Sequence, residues 1–202
     1  NLLNLKEKTI RHIRGNRIAM IFQEPMTSLN PLHSIEKQIN EILGIHKGLS
    51  GKVATRRTLE LLEMVGIPEP HKRLKAYPHE LSGGQRQRAW LAMVLAQETA
   101  IVLLDEPTTF LDINHQHELM ELLAGLRRQG RTLVAVLHDL NQAARYADVM
   151  VALSPDGRIY DQGPPQQVMT VAMMQAIFGL ACHVDTDPVS ARPRVTPLAS
   201  GL

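Results

Sequence analysis

Hydrophobic and polar positions change period several times along the chain, and each change marks an element. Arg17 to Phe22 (RIAMIF) predicts a short buried strand, closed by Gln23-Glu24-Pro25, and Met26 to Pro31 is a turn cluster. Ser34 to His46 then places Ile35, Ile39, Ile42 and Leu43 on one side of a helix. Gly44, Gly48 and Gly51 loosen the next stretch, and Thr55 to Val65 makes a second helix with Leu59, Leu62 and Val65 at core spacing and Gly66 as its stop. Ser82 stands as the N-cap of a segment, Gln85 to Gln97, whose apolar residues recur at helical spacing. Ile101 to Leu104 predicts a fully buried strand of the parallel type, and Thr132 to Leu137 another β-branched, apolar strand. Between them Asn114 predicts the cap of a helix running to Gln129 and ended by Gly130. A helix through Ala143-Ala144 follows, then a strand from Asp148 to Leu153, a turn at Ser154 to Gly157 into Arg158 to Asp161 as a hairpin, and a last helix from Pro164 to Phe178. Met169, Met173 and Met174 read as core filler in that helix. From Ala181 onward prolines and small residues predict an irregular surface tail. The order describes an α/β core with a small helical subdomain inserted between two of its parts.

The chemistry is concentrated between Leu81 and Asp112. Leu81-Ser82-Gly83-Gly84-Gln85 is a glycine-rich turn at a helix N-terminus, where free N–H groups and the positive end of the helix dipole suit an anion such as phosphate. Asp105 and Glu106 follow the strand at its carboxyl end, the side on which open α/β sheets place ligands. His138 closes the next strand. Each feature has a plain reading by itself: a Gly-Gly turn is usually a turn, adjacent carboxylates are usually a solvated loop, and a histidine at a strand end is usually structural. His115 and His117 form an H-x-H pair, but on a helix their side chains diverge by about 200°, which predicts surface histidines and no metal pair.

The order of these features carries the resemblance. LSGGQ, then LLDEP, then a histidine after the following strand resembles the ATPase subunit of ABC transporters: the signature at 81–85, the Walker B motif at 103–107, and His138 as the switch histidine. Gln23 matches the family's Q-loop glutamine, and Leu111-Asp112 its D-loop, although the Thr-Thr-Phe before it departs from the commoner serine-alanine form. The implied fold is a P-loop NTPase-like, RecA-like ABC core with an inserted α-helical subdomain. The implied organisation is core remnant over 1–24, helical subdomain over 25–90, catalytic core over 91–180 and tail over 181–202. The implied cofactors are ATP and Mg²⁺. Asp105 and Gln23 are expected at the metal, Glu106 as general base, and Gln23 and His138 aligning metal, water and phosphate. Leu81, Ser82, Gly83, Gly84, Gln85 and Asp112 are expected to complete the nucleotide site of an opposing subunit. The implied partners are transmembrane permease subunits, a second ATPase subunit and, indirectly, a periplasmic binding protein, with the chain peripheral on the cytoplasmic face of the bacterial inner membrane.

Two branches of the family are represented. Phe22 to Pro31 and Tyr77 to Gln85 are similar to peptide, dipeptide and nickel import ATPases. Ala89 to Gly179, with His138-Asp-Leu-Asn-Gln-Ala143, and the tail are similar to iron–siderophore import ATPases, so a seam falls near Arg86 to Trp90 and the cargo stays open between the two. There is also a departure: no G-x-x-x-x-G-K-[ST] occurs in the 202 residues. That loop holds the β- and γ-phosphates in the family, so the expectation is an N-terminally truncated, inactive subunit with a gap in its core sheet and an exposed edge. A non-enzymatic chain that donates LSGGQ to a P-loop-bearing partner is the alternative. A third reading, a soluble ABC protein of DNA repair or translation, sits poorly with so short a helical insert.

Composition narrows the rest. Charged residues at 21% and hydrophobic ones at 44% are ordinary for a globular protein, and a formal charge of +2 gives no electrostatic reason to expect nucleic acid. Cys182 is the single cysteine, so no disulfide forms within the chain, which fits a reducing compartment. No apolar run is long enough to span a bilayer, and no signal peptide is present.

Overall fold

Three short strands form the centre of the first half of the chain. β1 (Ile18–Ile21), β2 (Ile101–Asp105) and β3 (Thr132–Val136) pair in parallel in that order, with Ile18 opposite Ile101 and Ile101 opposite Thr132. The structure, a computed structural model, describes residues 5–21, 29–109 and 111–199. It divides into two compact units, Asn1–Val136 and Leu137–Leu202. Alternate residues of a strand face opposite sides. Here Ala19, Ile21, Val102 and Leu104 are buried, while Met20, Val134 and Val136 on the other side are 44%, 54% and 55% exposed. Full burial was expected for 101–104, but Ile101 and Leu103 are half-buried, on the face of the sheet that no described element of the first unit covers.

In the same unit, α1 (Glu7–Ile13) precedes β1, and α2 (Ile35–Lys47), α3 (Gly51–Met64) and the single turn α4 (Pro70–Arg73) follow it. Ser34 caps α2, its hydroxyl accepting the Lys37 N–H at 3.3 Å. The apolar stripe of α2 is as predicted at Ile35, Ile39 and Leu43, and Ile42 is half-buried. In α3 the stripe runs through Ala54, Thr58, Leu61 and Leu62 to Val65, so Leu61 takes the core position expected of Leu59. Both helices pack on α5 (Gly83–Ala96), which also lies against β1. That position explains a helix buried at Ala89, Trp90, Leu91, Ala92, Val94, Leu95 and Ala96, an all-round pattern with little amphipathic contrast. Helix α6 (Ile113–Arg128) contributes Leu119, Met120, Leu123 and Leu126 to the core and packs on β3. Its cap is Asp112 and not Asn114. The Asp112 carboxylate accepts the His115 N–H at 2.9 Å, while Asn114 lies inside the helix and donates to Glu118.

The second unit holds α7 (Leu140–Tyr146), the antiparallel hairpin β4 (Met150–Leu153) and β5 (Ile159–Gly163), α8 (Pro165–Val168) and α9 (Val171–Phe178). The single helix expected over 164–178 is two, because Thr170 leaves helical geometry and caps α9 through its hydroxyl, 3.1 Å from the Met173 N–H. Met169, Met173 and Met174 are buried together with Ala144, Cys182 and Val195. The expected irregular tail is a second hairpin, β6 (Cys182–Thr186) with β7 (Pro193–Pro197). Its prolines stand at the two ends of β7, where a two-stranded hairpin tolerates a missing donor. Asn141 holds Val195 on both sides, accepting its N–H at 2.7 Å and donating to its carbonyl at 3.1 Å. Arg194 pairs with Asp185 through two hydrogen bonds at 2.9 and 2.8 Å.

Glu98, just beyond α5 in a left-handed conformation, joins the helices of the first unit. Its carboxylate meets Lys47 at 2.9 Å and Arg57 at 3.1 Å. The Lys47 ammonium, then Arg57, holds its carboxyl below the usual range against the opposing effect of burial. Because the folded form ionises more readily than the unfolded one, this contribution is complete above the unfolded value of about 4.3 and fades as the pH falls through the lower folded value. We expect Glu98→Gln to cost about 1 kcal/mol at pH 7, the pair being partly exposed, and less at about pH 3, below the unfolded value. Urea unfolding at the two pH values checks this, and an equal deficit at both would show that the ion pairs contribute nothing.

Candidate functional site

The turn at 81–85 is built by its own residues. The Ser82 hydroxyl accepts the Gln85 N–H at 3.3 Å, and the Gln85 side-chain oxygen accepts the Ser82 N–H at 3.2 Å, a reciprocal cap at the start of α5. Leu81 is buried beneath it, and Arg86 donates to the Leu81 carbonyl at 3.0 Å. The N–H groups of Gly83 and Gly84 belong to the first helical turn, which has no acceptor within the helix. Gly83 is informative because nothing among the described residues requires it. Its φ lies outside the left-handed region, and a side chain there would meet no atom within 4 Å. A glycine that serves neither conformation nor packing costs helix stability, which points to a molecule approaching from outside. Gly84 is different: a Cβ would sit 3.4 and 3.5 Å from Cδ2 and Nε2 of the His115 ring, ordinary contact.

The two carboxylates stand where the parallel strands end. Asp105 is the last residue of β2, half-buried and paired with Val136. Glu106 follows in a left-handed conformation, φ +49°, with its N–H donated to the Val136 carbonyl at 3.1 Å. This region is unfavourable for a glutamate by about 1 kcal/mol or more, so the ladder end holds it in place. Thr109 turns back on Glu106: its N–H donates to the Glu106 carbonyl at 3.2 Å and its hydroxyl to Oε2 at 3.3 Å. The Gln87 amide of α5 donates to the Pro107 carbonyl, so the helix that opens with the glycine turn also touches the loop that carries Glu106.

Asp112 closes that loop. Its Oδ1 caps α6, and its Oδ2 lies 2.7 Å from His115 Nδ1. The His115 backbone N–H, and after it the ring, holds the Asp112 carboxyl below the ordinary range. The His115 side chain remains 42% exposed, a surface histidine as expected although bonded to Asp112, and His117 is exposed as well. Arg88 adds a further tie, donating to the Gly66 carbonyl at 2.7 Å and to Glu118 of α6. A cavity of about 280 Å³ lies among these groups, lined by Met64, Gly84, Arg88, His115, Leu119 and Leu122 among others.

Leu81 to Gln85, Asp105, Glu106 and Asp112 thus share the first unit, and the turn and the carboxylate loop are joined within it. His138, exposed, opens the second unit, and Asp139 beside it caps α7 by accepting the N–H groups of Asn141 and Gln142 at 2.8 and 3.0 Å. Gln23 lies outside the described residues. Sequence reasoning gave Gln87 and Thr109 no role and read His115 as a surface histidine only. The D-x-x-H spacing of a helix cap bonded to its own third residue, and Gln87 one turn after Gly84, were the available signals.

Comparison with known proteins matches residues 3–109 to the family model described as ABC transporter. A peptidoglycan transport ATP-binding protein, YejF of Agrobacterium fabrum, is 53% identical over 171 residues, covering 84% of this chain and 31% of that protein. The oligopeptide transport ATP-binding protein OppD of Bacillus subtilis is 40% identical over 199 residues, covering 98% and 55%. The ferric enterobactin transport ATP-binding protein FepC of Escherichia coli K12 is 60% identical over 119 residues, covering 58% and 44%. The chain spans 31–55% of the length of these curated relatives. Among solved structures, the dimeric ATP-binding cassette MJ0796 in a post-hydrolysis state with ADP and Pi is similar at a TM-score of 0.69 and 32% identity, over 80% of this chain and 68% of that one.

If Gly83 is kept for an outside molecule, the fold gains from losing it. We expect Gly83→Ala to raise stability by a few tenths to about 1 kcal/mol in urea unfolding. A loss of more than that amount would mean that the chain itself needs the glycine.

Proposed function

The chain belongs to the ABC transporter family, with an α/β ATP-binding cassette fold, and from that premise we propose that it acts within the ATP-hydrolysing subunit of a bacterial importer. The observation that carries this is the pairing of a glycine turn kept clear at Gly83 with a glutamate held in a strained conformation at the end of a parallel strand. Phosphate approaches the first without meeting a side chain, and the second fixes a carboxylate in space before any ligand arrives.

Each residue then has a task. Glu106 accepts a proton from the attacking water as oxygen bonds to the γ-phosphorus and the bond to ADP breaks, releasing ADP and phosphate. Thr109 holds one Glu106 oxygen in place. Asp105 offers a single hard oxygen donor. Among the described residues no three of His, Cys, Asp and Glu gather into a metal-holding group. Asp105 would hold Mg²⁺ brought by the nucleotide, and the ion would neutralise phosphate charge there. By resemblance to the family, Gln23 is assigned to the metal and His138 to the terminal phosphate. Ser82, Gly84 and Gln85, with Leu81, Gly83 and Asp112, face the nucleotide of a second ATPase subunit. The cassette works beside permease subunits and, indirectly, a periplasmic binding protein, on the cytoplasmic face of the inner membrane. Among the described residues no helix is long and apolar enough to cross a membrane.

Cargo has support on two sides. Similarity to OppD runs over nearly the whole chain and favours peptides, while the higher identity to FepC over 119 residues favours an iron–siderophore. The second reading, a chain that donates its glycine turn to a P-loop-bearing partner, rests on the same turn kept clear at Gly83.

Calorimetric titration of Mg-ATP into the 202-residue chain is expected to show no micromolar binding. Micromolar binding would overturn this account of the phosphate site. In the full-length ATPase, Glu106→Gln is expected to lower turnover about 100-fold or more at little changed ATP affinity. Turnover within about threefold of the original would remove Glu106 from the chemistry. Mixing the chain with a P-loop-bearing homologue distinguishes the donor reading, which requires that the chain stimulate the homologue's hydrolysis.

A further inference from the structure

Three residues on one face of α5 meet the segment that runs from Glu106 into α6. Gly84, Gln87 and Arg88 stand at i, i+3 and i+4, neighbours on a helix surface. Gly84 lies under the His115 ring, Gln87 bonds the Pro107 carbonyl, and Arg88 reaches Glu118. The helix that begins with the glycine turn is thereby attached to both ends of the carboxylate loop.

His115 is the member of this set that bonds one proposed functional group, Asp112, and faces another, Gly84. Both oxygens of Asp112 are engaged by it, Oδ1 by the backbone N–H at 2.9 Å and Oδ2 by Nδ1 at 2.7 Å. The opposite edge of the ring, Cδ2 and Nε2, faces Gly84 across a gap in which a Cβ on that residue would lie 3.4 and 3.5 Å from those two atoms. The ring thus stands between Asp112, to which it is bonded, and Gly84. We propose that His115 is a positioning residue that sets Asp112 relative to the Leu81–Gln85 turn, so that both present themselves to the opposing subunit's nucleotide in one arrangement. This rests on the ATPase reading above. The backbone cap alone leaves the Asp112 side chain free to rotate Oδ2 away, and the Nδ1–H bond removes that freedom. Displacement of a positioned group by about 1 Å is enough to cost as much as 100-fold in rate, so a modest shift of Asp112 has a measurable effect.

The test compares two replacements in the full-length ATPase assembled with its permease. His115→Phe keeps a ring against Gly84 and loses the bond to Asp112; His115→Asn keeps a donor near the Nδ1 position. We expect His115→Phe to lower kcat about tenfold with KM for ATP within about twofold, and His115→Asn to return kcat to within about threefold of the original. An unchanged kcat in His115→Phe, or no recovery in His115→Asn, overturns the proposal. Glu106→Gln measured alongside separates the two levels: if it leaves turnover intact, the ATPase reading itself has failed. A second measurement needs no turnover. In the 202-residue chain a nuclear Overhauser contact is expected between the His115 ring Hδ2 and the Gly84 Hα protons, and its absence from the folded chain refutes the arrangement.

Discussion

Burial of α5 is the constraint on which the first unit depends. From Ala89 to Ala96 the helix has almost no solvated side, because α2 and α3 take one flank and β1 another. A side chain the size of Leu91 or Leu95 contributes about 1.5–3 kcal/mol when fully buried, so the helix cannot turn about its axis without losing several such contributions. That immobility fixes where its first turn points. The Ser82–Gln85 cap shapes the turn locally, but the packing a few residues later aims it. The same rotation sets which residues of α5 look toward the loop after β2, and therefore which of them meet Pro107, His115 and Glu118.

The sheet imposes a second constraint at the other end of the site. Parallel pairing places Asp105 opposite Val136, and the ladder then continues one bond further, from the Glu106 N–H to the Val136 carbonyl. Glu106 adopts a backbone geometry that a glutamate does not choose for itself, because the ladder bond, buried Pro107 and the Thr109 turn leave it no other. Stability is spent at this residue and recovered in the strands behind it, a distribution typical of positions where a side chain must be held ready.

Elements with strong local signals were legible from the sequence: the apolar runs of β1, β2 and β3, the stripe Ile35-Ile39-Leu43, and the Ser82 cap. What escaped was decided by competition between near-equal local choices or by distant contacts. Asp112 and Asn114 are both capable caps, and Asp112 prevails because its second oxygen is also bonded by His115. One proline-led segment became two helices because Thr170 offers a hydroxyl to the next turn. The tail looked irregular because its prolines were counted without their positions. Asn141, more than 50 residues earlier in the chain, supplies the clamp that holds β7. The site follows the same division. The turn and the carboxylates announced themselves as motifs, whereas Gln87, Thr109 and His115 became visible only once folding had brought α5, the loop and α6 together.

The bare face of the three-stranded sheet has a thermodynamic consequence. Met20, Val134 and Val136 are already largely wetted in the folded chain, so unfolding exposes less new apolar surface than 202 residues would lead one to expect. Heat capacity and urea sensitivity both scale with that newly exposed surface. The chain should therefore melt over a broader interval than a closed α/β domain of its length. Covering that face would sharpen the transition as well as raise its midpoint.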